Sequence, residues 1–339
     1  MSEPSAPGCA SDSEFFLSRL RPLIAWSKRR WSSPSFRRAF NIVWVVVALA
    51  VTVLGGWHFA SAGWPLSHAS PLLVALAGVL FLVAYPVKAF GWSRLFRKDE
   101  RPRSSTLAAA GGAASITGIA LPGRFDDVVR VAVVRRYPNC PAGVRVLVYS
   151  LFTLGLIDAV ALMPLASVGA ALTGSMAIRI ALAIVAAGGI GAAVVILVIP
   201  RVAVCGRFIR FRLARWVSVR APSAREAGDA GIWVFASWIV RGVALLVLLE
   251  ALGIGLSLPL AVIFLCAGAA AAALPVAPAG AATQAGAGAA ILVTSGVAGH
   301  SAINFAVASQ ALVILAGAAI VAATATWHGG RRFLAARAA

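Results

Sequence analysis

The sequence predicts an all-α, polytopic integral membrane protein with about six full spans and two re-entrant, broken-helix hairpins. Of its 339 residues, 60% are hydrophobic and only 12% are charged, and the mean hydropathy is +0.90. A soluble chain carries roughly 25% charged residues. The apolar residues form long continuous runs, and about 20 such residues cross a bilayer as a helix. Because barrel strands alternate polar and apolar residues in short segments, these runs favour helices.

The charge distribution predicts the orientation in the membrane. The formal net charge is +19, and the 30 Lys and Arg residues cluster in the tails and in loops between apolar runs. Basic loops stay on the cytoplasmic side, so we expect a bacterial-type inner (plasma) membrane location with both termini in the cytoplasm. The same residues attract anionic lipid headgroups, at about 1 kcal/mol each near the surface. No recognition fold that would make nucleic acid a partner is visible.

Three regions divide the chain. Residues 1–38 form a basic cytoplasmic tail, residues 39–327 form the transmembrane domain, and residues 328–339 form a second basic tail. The loop at 58–70 lacks Lys, Arg, Asp and Glu, which places it outside. The predicted full spans are 39–57, 71–92, 142–166, 176–200, 230–252 and 301–327.

Residues 104–121 are apolar but are not expected to cross. A crossing would leave the four arginines between 124 and 136 outside, against the positive-inside rule. The run is rich in Gly and Ala and ends in Leu121-Pro122-Gly123, which breaks a helix. We therefore predict a re-entrant segment that enters from the cytoplasm and turns back.

A second apolar stretch, residues 258–297, is broken at 274–280 by two prolines and a glycine. The span before it ends outside and the last span begins outside. The stretch must therefore return to the outer face, either as a hairpin or as two full crossings. Breaks on hairpins from opposite faces are the layout of an inverted-repeat transporter, whose broken helices meet near the membrane midplane.

The residues after the first break carry the sharpest motif. Arg124 lies at the break, beside the free N–H groups of a helix start, and an arginine beside a helix N-terminus forms a phosphate site. Arg130 has two alternatives. It contacts the same headgroup, or it pairs with Asp126 or Asp127 and merely stabilises a surface helix. The candidate site therefore comprises Arg124, Asp127 and Arg130.

The second break leads into a segment of small residues that ends at Gly288. Small residues allow close helix packing. The alternative is a broken helix whose free N–H groups, with Thr283 and Gln284, line a polar path. The segment holds no charge, so it could help to bind a headgroup but could not perform acid–base chemistry.

Asp158, Arg241 and Glu250 are charged residues inside predicted spans. Asp158 and Arg241 differ in depth by about 6 Å at 1.5 Å per residue, which an arginine can reach, and buried charges are usually paired. We predict an Asp158–Arg241 ion pair, with gating or headgroup guiding as the alternative role. Glu250 lies near the outer end of its span and is expected to be solvated.

Enzyme signatures are thin. The four histidines are scattered, and no nucleotide or cofactor motif appears. The outer loop at 58–70 lacks the carboxylates that a polyprenyl-linked glycosyltransferase would need. We expect no catalytic residue, metal or cofactor. The cysteines are not spaced as a metal site, and free, reduced thiols are expected for Cys9, Cys140, Cys205 and Cys266.

At its two breaks the chain resembles the lysylphosphatidylglycerol synthase transmembrane-region family, over about residues 39–327. That family carries a Pro-x-Arg-x-Gly-(Glu/Asp)-x-x-Arg type motif after a re-entrant segment, and a Leu-Pro-x-x-Pro-Gly-Gly-x-Gly motif near the C-terminus. The first aligns with Pro122, Arg124, Asp127 and Arg130, with Asp126 where Gly is usual. The second aligns with Leu274, Pro275, Pro278, Gly280 and Ala282. The acidic residue that commonly follows is replaced, since Thr283, Gln284 and Ala285 stand there.

The resemblance implies a lipid-translocating membrane domain. We expect it to move an anionic phospholipid or a polyprenyl-phosphate-linked lipid between leaflets. Arg124 and Arg130 would hold the phosphate from the cytoplasmic side, and residues 275–288 would form the opposing half of the cavity. The replaced acidic residue removes a group that an ion-coupled step would use. The alternatives are a non-transporting partner of a cell-envelope lipid or glycan enzyme and, disfavoured by the missing carboxylates, a membrane transferase.

Overall fold

The computed structural model describes residues 69–118, 125–137, 140–204, 216, 220–273 and 280–337. These residues form nine α-helices and no β-strand. The helices are α1 (Pro71–Ser93), α2 (Ser104–Thr117), α3 (Phe125–Arg136), α4 (Val144–Leu172), α5 (Met176–Val204), α6 (Ala224–Ala251), α7 (Leu258–Ala273), α8 (Gly280–Thr294) and α9 (Gly299–Arg337).

Five helices are long and apolar enough to cross a membrane: α1, α4, the Met176–Val198 part of α5, α6, and the Gly299–Trp327 part of α9. They coincide with five of the six predicted spans, and the predicted span 39–57 lies outside the described residues. α4 runs to Leu172, beyond the predicted end at 166, because Pro164 is accommodated inside it. The chain is therefore a multi-pass α-helical membrane protein, as its composition predicts.

Helix α2 enters the bundle without crossing it. Its 14 residues span about 21 Å, and the hydrocarbon core is about 30 Å thick. Near its end, Ser115 Oγ lies 2.6 Å from the hydroxyl of Tyr85. That hydroxyl also donates to the carbonyl oxygen of Val313 at 3.0 Å. Val313 is halfway along the apolar part of α9, so α2 ends at mid-depth, as a re-entrant segment should. The break at 121–123 lies outside the described residues.

Helices α7 and α8 form a pair of short helices. They contain 16 and 15 residues, about 24 and 22 Å of helix, so neither is long enough for a full crossing. They pack against each other, and Gly288 lies directly on the ring of Phe264. That ring meets the ring of Phe305 on α9 edge-on, with centroids 4.8 Å apart. The lengths favour a hairpin over two crossings. The break at 274–279 lies outside the described residues, and the inverted repeat stays a prediction.

Close backbone contacts between glycines and their neighbours set the helix packing. A Cβ at Gly112 on α2 would lie 2.5 Å from the carbonyl oxygen of Gly317 on α9. A Cβ at Gly189 on α5 would lie 2.6 Å from the carbonyl oxygen of Ala159 on α4. Without a hydrophobic driving force between helices in lipid, such small-residue contacts supply much of the association energy.

The α2–α9 contact gives a first testable expectation. Gly112→Ala should lower the free energy of unfolding by about 1–3 kcal/mol, because the added methyl group overpacks a contact between two backbones. Gly155→Ala on α4 is the matched control, since a Cβ there meets nothing within 4 Å and alanine is the better helix former by about 0.5–1 kcal/mol. Thermal unfolding in detergent measures both. Equal melting temperatures would contradict the close contact between α2 and α9.

Candidate functional site

A cluster of charged and aromatic side chains lies inside the helix bundle. It comprises Tyr85 and Lys88 on α1, Asp158 on α4, and Trp238 and Arg241 on α6, and we call it the membrane cluster. The spacing of three residues puts both α1 members on one helix face and both α6 members on another. α1 packs along α6, and α6 packs against α4. The three helices thereby bring the five side chains together.

Asp158 is the anchor of the membrane cluster. Its carboxylate forms an ion pair with the Lys88 ammonium at 2.8 Å, and it accepts a hydrogen bond from the indole Nε1 of Trp238 at 2.9 Å. The predicted ion pair between Asp158 and Arg241 is therefore wrong. Lys88 pairs with the carboxylate instead, and this lysine was not among the predicted site residues. It is the only basic residue in the apolar run of α1, which is the signal that could have identified it.

Arg241 contacts aromatic rings rather than a carboxylate. Its guanidinium carbon lies 5.3 Å from the ring centroid of Trp238 and 5.7 Å from that of Tyr85. Lys88 Nζ lies 5.2 Å from the Trp238 centroid. Such cation–π contacts contribute about 0.5–2 kcal/mol each. Within the described part of the chain Arg241 makes no ion pair, so its N–H donors keep the capacity to bind an anion.

The membrane cluster holds one net positive charge and is accessible. Lys88 and Asp158 cancel, and Arg241 remains. The side chains of Lys88 and Asp158 are 22% and 23% exposed. They are exposed although they lie deep in the bundle: Tyr85, one helical turn before Lys88, hydrogen-bonds to Val313 at mid-depth. Charged side chains inside a membrane face the bundle interior or a water-filled cavity and mark substrate pathways. The charges of the membrane cluster lie inside the bundle and are partly exposed.

The motif on α3 forms its own ion pairs. Arg130 binds Asp127 at 2.6 Å and Asp126 at 3.0 Å, so the structure contains the local pairing that was one of its two predicted roles. Its side chain is still 28% exposed. α3 packs against α2 and α4.

The remaining predicted site residues are Arg124, Thr283 and Gln284. Arg124 lies outside the described residues. Thr283 and Gln284 lie on the first turns of α8 and are half-buried. Among the described residues, no hydrogen bond joins Gln284 to the membrane cluster. Glu250 is exposed at the end of α6, as expected.

Cysteines and metal-ligand residues add no second centre in the described ranges. Cys140 and Cys266 are free thiols, the latter buried, while Cys9 and Cys205 lie outside those ranges. No group of three or more His, Cys, Asp or Glu side chains able to hold a metal ion occurs within them. The chemistry that the membrane cluster offers is thus charge pairing, hydrogen bonding and aromatic contact.

Comparison with known protein families gives a match over most of the chain. The family model described as the lysylphosphatidylglycerol synthase TM region matches residues 36–323. Neither the curated proteins nor the solved structures gave a match.

Proposed function

The chain belongs to the lysylphosphatidylglycerol synthase transmembrane-region family, and we propose that it translocates a lipid with an anionic, phosphate-bearing headgroup between the leaflets of the membrane. Family membership relates it to lipid handling in a membrane. Transport itself, an inner-membrane location with cytoplasmic termini, and the absence of enzyme activity are parts of the proposal.

The membrane cluster is the observation that carries the proposal. A headgroup that crosses the hydrocarbon core leaves water, and its phosphate needs a cation and hydrogen-bond donors at mid-depth. Arg241 offers a planar guanidinium held by two aromatic rings, and such a group binds a phosphate in a two-pronged geometry. One phosphodiester charge would balance the one net positive charge of the cluster.

The short helices α2, α7 and α8 support a path to this site. Tyr85 joins the end of α2 to the membrane cluster, and broken helices line the substrate sites of many transporters. In the proposal, Arg124 and Arg130 guide the phosphate from the cytoplasmic side. Asp127 holds Arg130 in place, and Thr283 and Gln284 on α8 belong to the opposing half of the path.

Reconstitution tests the proposal. Proteoliposomes with the purified chain should translocate labelled phosphatidylglycerol or polyprenyl phosphate faster than empty liposomes, and faster than they translocate phosphatidylcholine. If no lipid of the panel moves faster than in empty liposomes, the second candidate applies, a non-transporting membrane partner of a cell-envelope lipid or glycan enzyme.

Arg124 gives a further expectation. Arg124→Ala should reduce translocation strongly and Arg124→Lys less strongly, because an ammonium cannot copy the two-pronged contact with a phosphate. Arg212→Ala, in the basic loop between α5 and α6, is the control and should change little. Expression and melting temperature are checked in parallel. Wild-type translocation by Arg124→Ala would exclude Arg124 from the path.

A further inference from the structure

A cavity of about 420 Å³ lies where α1 ends and α6 begins, and no residue of the membrane cluster lines it. Its wall combines the residues after α1, the last apolar residues of α5, and the segment leading into α6. The apolar helices end at Ser93 and Val198 and begin at Ala224 on this side. The cavity therefore lies at the level where hydrocarbon meets headgroups. Its volume is that of an ordinary ligand pocket. We call it the interface cavity.

Arg220 lines the interface cavity, and contacts with two neighbouring side chains hold it in place. Arg220 donates two hydrogen bonds to the carboxylate of Glu100, at 2.7 and 2.9 Å. Its guanidinium carbon lies 5.2 Å from the ring centroid of Trp216. Glu100 neutralises the charge of Arg220, so this pair fixes the shape of the cavity and ties the loop after α1 to the start of α6.

Two arginines of the loop after α1, Arg94 and Arg97, line the cavity, and Glu226 is the one carboxylate that lines it among the described residues. That carboxylate accepts hydrogen bonds from the backbone N–H and hydroxyl of Ser223, at 2.9 and 3.0 Å, in the cap of α6. The Nε of Arg94 is buried and has no hydrogen-bond acceptor within the described ranges. Its guanidinium carbon lies 4.6 Å from the ring centroid of Phe90.

Apolar residues also line the interface cavity. Leu95 and Phe96 come from the loop after α1, and Ile196 and Leu197 come from the end of α5. Leu197 is 48% exposed, and neighbouring apolar residues on α5 are exposed to a similar degree. A molecule in this cavity can therefore place an anion against the arginines and an acyl chain along α5. Basic pockets between transmembrane helices bind anionic lipid headgroups in this way.

We propose that the interface cavity binds the headgroup of an anionic phospholipid from the surrounding leaflet, as a second lipid site separate from the membrane cluster. Arg94 and Arg97 contact the phosphate, and an acyl chain lies along the exposed face of α5. The proposal does not depend on translocation, because a lipid bound at this site need not cross the membrane.

Lipid binding by the purified full chain in detergent tests the proposal, with fluorescent phosphatidylglycerol as the probe. Unlabelled phosphatidylglycerol, phosphatidylcholine and inorganic phosphate serve as competitors. The measurement is made in an Arg241→Ala background, so that binding at the membrane cluster does not contribute. The double variant Arg94→Gln with Arg97→Gln is compared with Arg136→Gln with Arg145→Gln, which removes two exposed arginines from outside the cavity wall.

The proposal expects the Arg94 and Arg97 change to weaken binding about tenfold or more, through the loss of charge-assisted hydrogen bonds, and the control pair to leave it unchanged. Ala224→Trp, at an exposed wall position, should block the cavity with all charges kept and weaken binding as well. If the double variant does not fold, this variant provides the test. Unchanged affinity in these variants overturns the proposal. Equal competition by phosphatidylcholine, or competition by inorganic phosphate as strong as that by lipid, also overturns it.

Discussion

Asp158→Asn is expected to lower the free energy of unfolding by about 3 kcal/mol, the lower end of the range for breaking a buried ion pair. Asparagine keeps an oxygen that can accept from Trp238, so the change removes the negative charge and little else. Lys88 and Arg241 are then two positive charges inside the bundle with no carboxylate between them. The lower end of the range applies because both partners of the ion pair are partly exposed.

A double variant identifies the true partner of Asp158. Asp158→Asn with Lys88→Gln should recover a large part of the lost stability, because no charge of the pair is left alone. Asp158→Asn with Arg241→Gln should recover less, since Lys88 stays unpaired. Thermal unfolding of the single and double variants in detergent gives the coupling energies. Strictly additive losses for Asp158 and Lys88, or better recovery with Arg241→Gln, would contradict the observed pairing.

The sequence predicts the spans well because the constraints on them are local. Bilayer thickness fixes the length of an apolar run, and basic loops fix its direction. Five predicted spans accordingly coincide with the long apolar helices, and the short α2 is already recognisable from the arginines that follow it. The pairing of Arg130 with Asp126 and Asp127 was also among the predicted alternatives, because these residues are one helical turn apart.

The membrane cluster could be predicted only in part, because packing between distant segments decides it. Lys88 lies 70 positions from Asp158, and nothing local indicates that α1, rather than α6, supplies the cation. A lysine five residues from the end of a span is also typical of a side chain that reaches out to the headgroups. The depth estimate placed Arg241 correctly within the same region, but its nearest groups are rings that a search for opposite charges does not consider.

The interface cavity was not predicted, for a related reason. Its wall combines three segments, after α1, at the end of α5 and before α6. In the sequence, Arg94 and Arg97 are two of many arginines in basic loops. Only the folded chain shows that they line a cavity and that the Nε of Arg94 is buried without an acceptor.

Arg241→Ala is expected to have the largest effect on function. The guanidinium is the one cation of the membrane cluster that has no carboxylate partner among the described residues. A hydrogen bond to a charged group contributes about 1.5–3 kcal/mol, which corresponds to roughly a tenfold to a hundredfold change in rate. Arg241→Lys keeps the charge but loses the two-pronged geometry, so its translocation rate should fall between those of wild type and Arg241→Ala.

The most direct test is the rate of phosphatidylglycerol translocation in proteoliposomes of wild type, Arg241→Ala and Arg145→Gln, compared at equal protein incorporation. Arg145 is exposed at the start of α4 and serves as the matched arginine control. Melting temperatures of the three proteins show whether a loss of rate comes from a loss of fold. We expect a folded Arg241→Ala whose rate is reduced by roughly tenfold to a hundredfold, and wild-type behaviour for Arg145→Gln. A folded Arg241→Ala that translocates phosphatidylglycerol at the wild-type rate would contradict the account.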